Sequence, residues 1–80
     1  MVTHILRLPA VKARTWLSRS TIYSDISQGL FPHPVKIGAR AVGWPEDEVK
    51  ALNAARIAGK SDDDIRALVV QLLVARTAAF

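Results

Sequence analysis

Cysteine is absent from this 80-residue sequence. Neither a disulfide framework nor a cysteine-bound zinc can therefore stand in for core packing, and the usage fits a reducing compartment. Long apolar runs are missing too, and Met1-Val2-Thr3-His4 lacks the cationic stretch that opens a secretory signal, so a cytoplasmic protein with no membrane contact is expected. Histidine is scarce: His4 lies near the start and His33 sits between Pro32 and Pro34, a placement that suits a solvated loop better than a metal ligand. The acidic trio Asp62-Asp63-Asp64 is better explained as the cap of a helix than as an acid/base or metal site. No catalytic residue, metal or cofactor is expected, and the chain is not read as an enzyme. Its length allows one domain, which buries roughly 60% of its unfolded surface.

Acid is also short in the first half. Residues 1–45 set Asp25 alone against Arg7, Lys12, Arg14, Arg19, Lys36 and Arg40, whereas residues 46–80 hold five cations and six carboxylates. The net charge of +4 is thus carried by the first half, and a concentrated basic surface is what phosphate neutralisation and counterion release require.

The stretch Leu17–Gly29 organises what is present. Ser18 suits an N-cap and Gly29 the left-handed stop of a short helix. Ile22 and Ile26, spaced i and i+4, make one narrow buried stripe that Leu17 extends. Arg19, Ser20, Tyr23, Ser24, Ser27 and Gln28 then face outward, offering a cation, hydroxyls and an amide of the kinds that reach phosphates and base edges in a major groove. The segment reads as a recognition helix. Upstream, His4–Leu8 suits a brief extended segment with Leu8 inside, and Pro9 opens a supporting helix with Val11 inward and Lys12 and Arg14 near solvent, placed for phosphates. The turn between the two helices contains Trp16, expected to pack into the domain.

After Gly29, Pro32 and Pro34 force an extended path. Val35–Trp44 reads as a β-hairpin with Gly38, Ala39 and Arg40 at its tip. A hairpin after a helix-turn-helix is a wing, and Arg40 is placed for a minor groove; the alternative for Arg40 is a surface pair with a carboxylate. Pro45 starts a third helix, expected to run to about Ala58 with Val49, Leu52 and Ala55 inward and Gly59 as its stop. Ser61 to Asp64 cap a fourth. Its apolar stripe, Ile65, Leu68, Val69 and Leu72, is widened by Val70, Leu73 and Val74 beyond one face. Either that helix is buried on two sides within the domain or it meets another chain; self-association through Ile65, Leu68, Val69, Leu72 and Leu73 is expected.

The strings Ile5-Leu6-Arg7-Leu8-Pro9, Leu17-Ser18-Arg19-Ser20-Thr21-Ile22-Tyr23, Phe31-Pro32, Pro34 to Trp44 and Glu48-Val49 resemble the AlpA family of phage-type regulators over about residues 5–58. The resemblance implies a winged helix-turn-helix of the excisionase and MerR-like sort, and a role as transcriptional regulator or as a recombination directionality factor that assists an integrase in excision. By matching position it assigns Ser18, Arg19, Ser20, Thr21 and Tyr23 to the recognition helix, and Lys36, Arg40 and the glycine turn to the wing. Two departures stand out: Trp16 replaces the glycine usual in the turn, and Ser24-Asp25 stands where relatives commonly carry a basic residue.

The expected architecture is therefore mostly α with a small β-hairpin, residues 1–59 forming the winged helix-turn-helix and residues 60–80 a C-terminal amphipathic helix. The expected partners are double-stranded DNA, a site-specific integrase and further copies of the chain on DNA, in the cytoplasm and at the nucleoid when bound. The alternative is a protein-interaction adaptor, an antirepressor or antitoxin-like subunit, that uses the last helix.

Overall fold

Trp44 is the residue on which the elements converge, and the computed structural model, which describes residues 4–78, shows how they reach it. Strand β1 (Ile5–Leu6) and strand β2 (Val35–Lys36) pair antiparallel with opposite edges of β3 (Val42–Pro45), in the order β1-β3-β2. Leu6 lies opposite Trp44, and Val35 opposite Gly43. The hairpin is as expected, but the sheet gains a third strand from the N-terminal segment. Gly43 permits it: a Cβ there would stand 2.5 Å from Ile5 Cγ2 and 2.8 Å from the Leu6 carbonyl oxygen, closer than β1 can tolerate.

Helix α1 (Leu8–Thr15) carries its proline in the first turn and buries Val11. Leu6, rather than Leu8, supplies the buried leucine of this segment, and Leu8 packs half-buried at the core's edge. The helix stops at Trp16, whose φ of 60° is left-handed and whose N–H donates to the Lys12 carbonyl at 2.8 Å. This is the αL cap usually given to glycine. The expectation of a packed indole fails here, because the left-handed backbone turns the side chain outward and leaves it 94% exposed. A non-glycine residue in that conformation costs about 1–2 kcal/mol. Trp16→Gly is accordingly expected to stabilise the dilute protein by about 0.5–1 kcal/mol, raising Tm by about 2–8 °C, after allowance for glycine's extra chain entropy. Thermal unfolding followed by circular dichroism measures it, and a lower Tm would mean that the indole contributes packing.

Helix α2 (Arg19–Ser27) is capped at both ends as its sequence requires. Ser18 Oγ accepts from the Thr21 N–H at 3.2 Å. At the other end Leu30 N–H donates to Asp25 O and Gly29 N–H to Ile26 O, with Gly29 at φ +75°, the Schellman arrangement. Helix α3 (Glu46–Ile57) ends in the same way at Gly59, φ +76°. Helix α4 (Asp62–Ala78) begins where Ser61 Oγ accepts from Asp64 N–H at 3.2 Å.

The core joins residues from every part of the chain: Leu6, Val11, Ile22, Leu30, Phe31, Trp44, Val49, Leu52, Ile65 and Val69. Two of the residues expected to meet another copy, Ile65 and Val69, are therefore interior. Leu68, Leu72 and Leu73 pack partly against the same core. The wide stripe of α4 is explained by burial within the domain, since its inner side faces α3 while Arg66 and Arg76 reach past it to other segments. What α4 leaves outside is Val70 and Val74, 60% and 62% exposed. No helix among the described residues is long and apolar enough to cross a membrane.

Candidate nucleic-acid interface

The outward face of α2 is built as its spacing requires. Ile22 is sealed in the core and Ile26 partly so, which leaves Arg19, Ser20, Thr21, Tyr23, Ser24, Ser27 and Gln28 on the exposed side. Several of these groups are already engaged with one another. Ser18 Oγ, besides capping α2, donates to Thr21 Oγ1 at 3.0 Å. Gln28 Nε2 donates to Ser24 Oγ at 3.0 Å, and Ser27 Oγ to the Ser24 carbonyl at 2.7 Å. Ser18 and Thr21 are thus tied to the helix start, whereas the exposed Ser20 side chain makes no such bond among the described residues.

Tyr23 couples this face to the hairpin. Its ring meets Trp44 edge to face at 6.4 Å, and the Arg19 guanidinium lies 5.6 Å from the Tyr23 centroid. Such a cation–π contact orients a cation while leaving its N–H groups free for acceptors. Trp44 is itself fixed, edge to face with Phe31 at 6.0 Å and donating its indole N–H to the Pro32 carbonyl at 2.8 Å. The chain Arg19, Tyr23, Trp44 sets the helix face beside the base of the hairpin. At the other end of β2 and β3, Ile37 N–H donates to Ala41 O at 2.9 Å and closes a tip in which Gly38, Ala39 and Arg40 are all exposed.

The basic residues divide into two groups. Among the described residues, Arg7, Lys12, Arg19, Lys36 and Arg40 form no ion pair. Arg14, expected to hold a phosphate beside Lys12, is instead bonded to Glu46 Oε2 at 2.9 Å, and its carbonyl accepts from Asn53 Nδ2 at 2.9 Å. It braces α1 against α3. The hydrogen bond from Arg14 holds the Glu46 carboxyl below the usual carboxylate range, outweighing the desolvation that acts the other way. The brace is thus present at neutral pH, persists through the usual carboxylate range, and is lost only as pH falls below it through the lowered value of Glu46.

Three residues that position the face were not identified from the sequence as doing so. Arg66 Nε donates to the Gln28 carbonyl at 2.9 Å, closing the end of α2. Arg76 grips Glu48 with two bonds, Nε to Oε2 at 2.7 Å and Nη2 to Oε1 at 2.6 Å, and donates to the His33 carbonyl at 2.8 Å. Glu48 is only 5% exposed. The signal was present: Glu48 lies on the inner face of α3, i and i+4 with Leu52, and Arg76 lies on the inner stripe of α4, so opposite charges occur where each helix is apolar. Two of the acidic trio are also partnered, Asp62 with Arg56 at 3.4 Å and Asp63 with Arg66 at 3.2 Å. No group of three potential metal ligands is found among the described residues.

Two short helices at a tight turn are followed by a hairpin whose exposed tip carries Arg40, which forms no ion pair among the described residues. Residues 4–57 match the family described as prophage CP4-57 regulatory protein (AlpA), and the chain belongs to that family. Over 55 residues it is 49% identical to an uncharacterised protein, ORF88, of Enterobacteria phage P4, a match that covers 69% of this chain and 62% of that protein. Over 51 residues it is 39% identical to the DNA-binding transcriptional activator AlpA of Escherichia coli K12, covering 56% of this chain and 73% of that relative. The chain thus spans under two thirds of the length of the phage P4 protein. No solved structure matches it. Helix α4 lies wholly beyond the residues matched by the family.

Proposed function

We propose that the protein is a sequence-specific binder of double-stranded DNA in a prophage or integrative element, with α1 and α2 as its helix-turn-helix and the hairpin as its wing. The observation that carries this is the coupling of the exposed α2 face to the hairpin through Arg19, Tyr23 and Trp44, with Lys36 and Arg40, which form no ion pair among the described residues, beyond it. In a duplex, α2 enters the major groove with Arg19, Ser20 and Tyr23 toward base edges, Arg40 enters the neighbouring minor groove, and Lys12 and Lys36 hold phosphates. Arg14 takes no primary part, since Glu46 holds it. Several copies on adjacent sites bend the DNA, which is the architectural step a recombination directionality factor supplies to an integrase, and the same occupancy of a promoter regulates transcription. The chain performs no catalysis, and it acts in the cytoplasm, on nucleoid DNA. The adaptor alternative draws less support, because most of the apolar surface of α4 is spent on the core.

The test is a titration onto the attachment and intergenic DNA of its own element, with random duplex as control and salt varied. Selective, stepwise shifts with a steep salt slope are expected. Tyr23→Ala and Ser20→Ala should each lower affinity for the specific site about 5- to 100-fold while sparing random DNA. Lys36→Ala should weaken both and reduce the salt slope by about 1. Arg40→Ala should cost most at A·T-rich flanks. Absence of any selective shift would remove the proposal. An excision assay with the integrase and a promoter reporter then separate the two regulatory roles.

A further inference from the structure

Two residues of the turn and helix are left without a role by DNA binding: Trp16, exposed and held in a left-handed cap, and Asp25, a carboxylate in the basic half that makes no side-chain bond or ion pair among the described residues. Between α2 and α3 lies a groove of about 290 Å³. That is close to the lower end of sites that hold one small molecule, about 300 Å³. Its floor is apolar, made by Leu30, Phe31 and Leu52, and Asp25 stands at its wall. An indole needs an apolar slot for its body and an acceptor for its one N–H. The groove offers both.

We propose that the occupant is Trp16 of a second copy of this chain, its N–H donated to Asp25, in a two-fold pair where each copy fills the groove of the other. The groove is also lined by Thr15 and Leu17, the chain neighbours of Trp16. Knob and hole therefore lie on one face, which is the condition for an isologous contact that closes on itself rather than growing. DNA is the less fitting occupant, because Asp25 repels phosphate and the groove's cation, Arg56, is already paired with Asp62 at 3.4 Å. The size of the contact sets its strength. Two indoles bury about 150–250 Å² each, and the groove surfaces they cover add a similar area. The total stays below the about 1,200 Å² of a stable complex, so the pair forms in concentrated protein or where two copies share a duplex. This goes beyond the DNA-binding role and moves self-association from α4 to the turn.

The test uses the full chain without DNA, so that its failure and that of DNA binding are distinct. The two tryptophans give two indole N–H signals by NMR, followed from about 10 µM to about 1 mM protein with sedimentation equilibrium in parallel, the range in which weak contacts populate. The Trp16 signal should move downfield with concentration while that of Trp44, bonded to Pro32 O, stays fixed. The average mass should rise toward twice 8.8 kDa. Trp16→Gly, with the glycine that the backbone favours, should fold and remain monomeric, and Asp25→Ala should reduce the Trp16 shift by more than half. A stationary Trp16 signal over the whole range would overturn the proposal, as would undiminished association of Trp16→Gly. So would movement of the Trp16 signal on a duplex too short to hold two copies, unaltered by Asp25→Ala, which would make it a DNA contact.

Discussion

Arg76→Met is expected to lower the free energy of unfolding by about 3–5 kcal/mol, because it leaves the Glu48 carboxylate buried without its cation. The same change strips the His33 carbonyl of its donor. For a domain of this size the total is only about 4–12 kcal/mol, so a single side chain near the end of α4 holds about a quarter of it or more. Urea unfolding followed by circular dichroism gives the value. The double variant Glu48→Met with Arg76→Met should recover most of the loss, since a buried pair replaced by apolar groups is often neutral or better. A loss below about 1 kcal/mol in the single variant would mean that the pair is hydrated and behaves as a surface bridge.

Trp44→Ala ranks beside it. Removing a fully buried indole costs about 3–5 kcal/mol through lost transfer energy and the cavity left behind. The Pro32 carbonyl also loses its donor, and Tyr23 and Phe31 lose the ring against which they stand. Trp44→Phe separates these effects. It keeps an aromatic body but leaves Pro32 O unsatisfied, for a smaller loss of about 1–3 kcal/mol. Both are measured by thermal unfolding, with DNA titration at a temperature where each variant is folded. If Trp44 sets the helix face beside the hairpin, site-specific affinity should fall further in Trp44→Ala than random binding does. Equal falls would mean that Trp44 serves the core alone.

The parts legible in the sequence were those with local chemistry. Ser18, Gly29 and Gly59 mark helix ends by their own conformational preferences, Pro9 sits in the first turn of α1, and the alternation around Gly38 gives the hairpin. The outer face of α2 followed from two isoleucines one turn apart. Trp16 was misread because aromatic residues are buried on average, whereas here backbone handedness decides where the side chain points. The strand β1 is two residues long, too short to show any period, and depends on a missing Cβ at Gly43 far along the chain. The widened stripe of α4 signalled extensive burial but not whose surface would cover it. Arg14 and Glu46 meet only after α1 and α3 are docked, so no spacing announced that a cation placed for phosphate would be taken by a carboxylate.

The partners of the buried ion pair are separated by 28 residues, and the ribosome delivers them in a fixed order. At about 5–20 residues per second, Arg76 follows Glu48 by about 1.5–6 s. Until Arg76 docks, the Glu48 carboxylate has no cation against which it can be buried. Ile65 and Val69 have yet to seal the interior as well. The exposed face of α2 is therefore set last, by a segment that lies beyond the residues matched by the family and is synthesised after them.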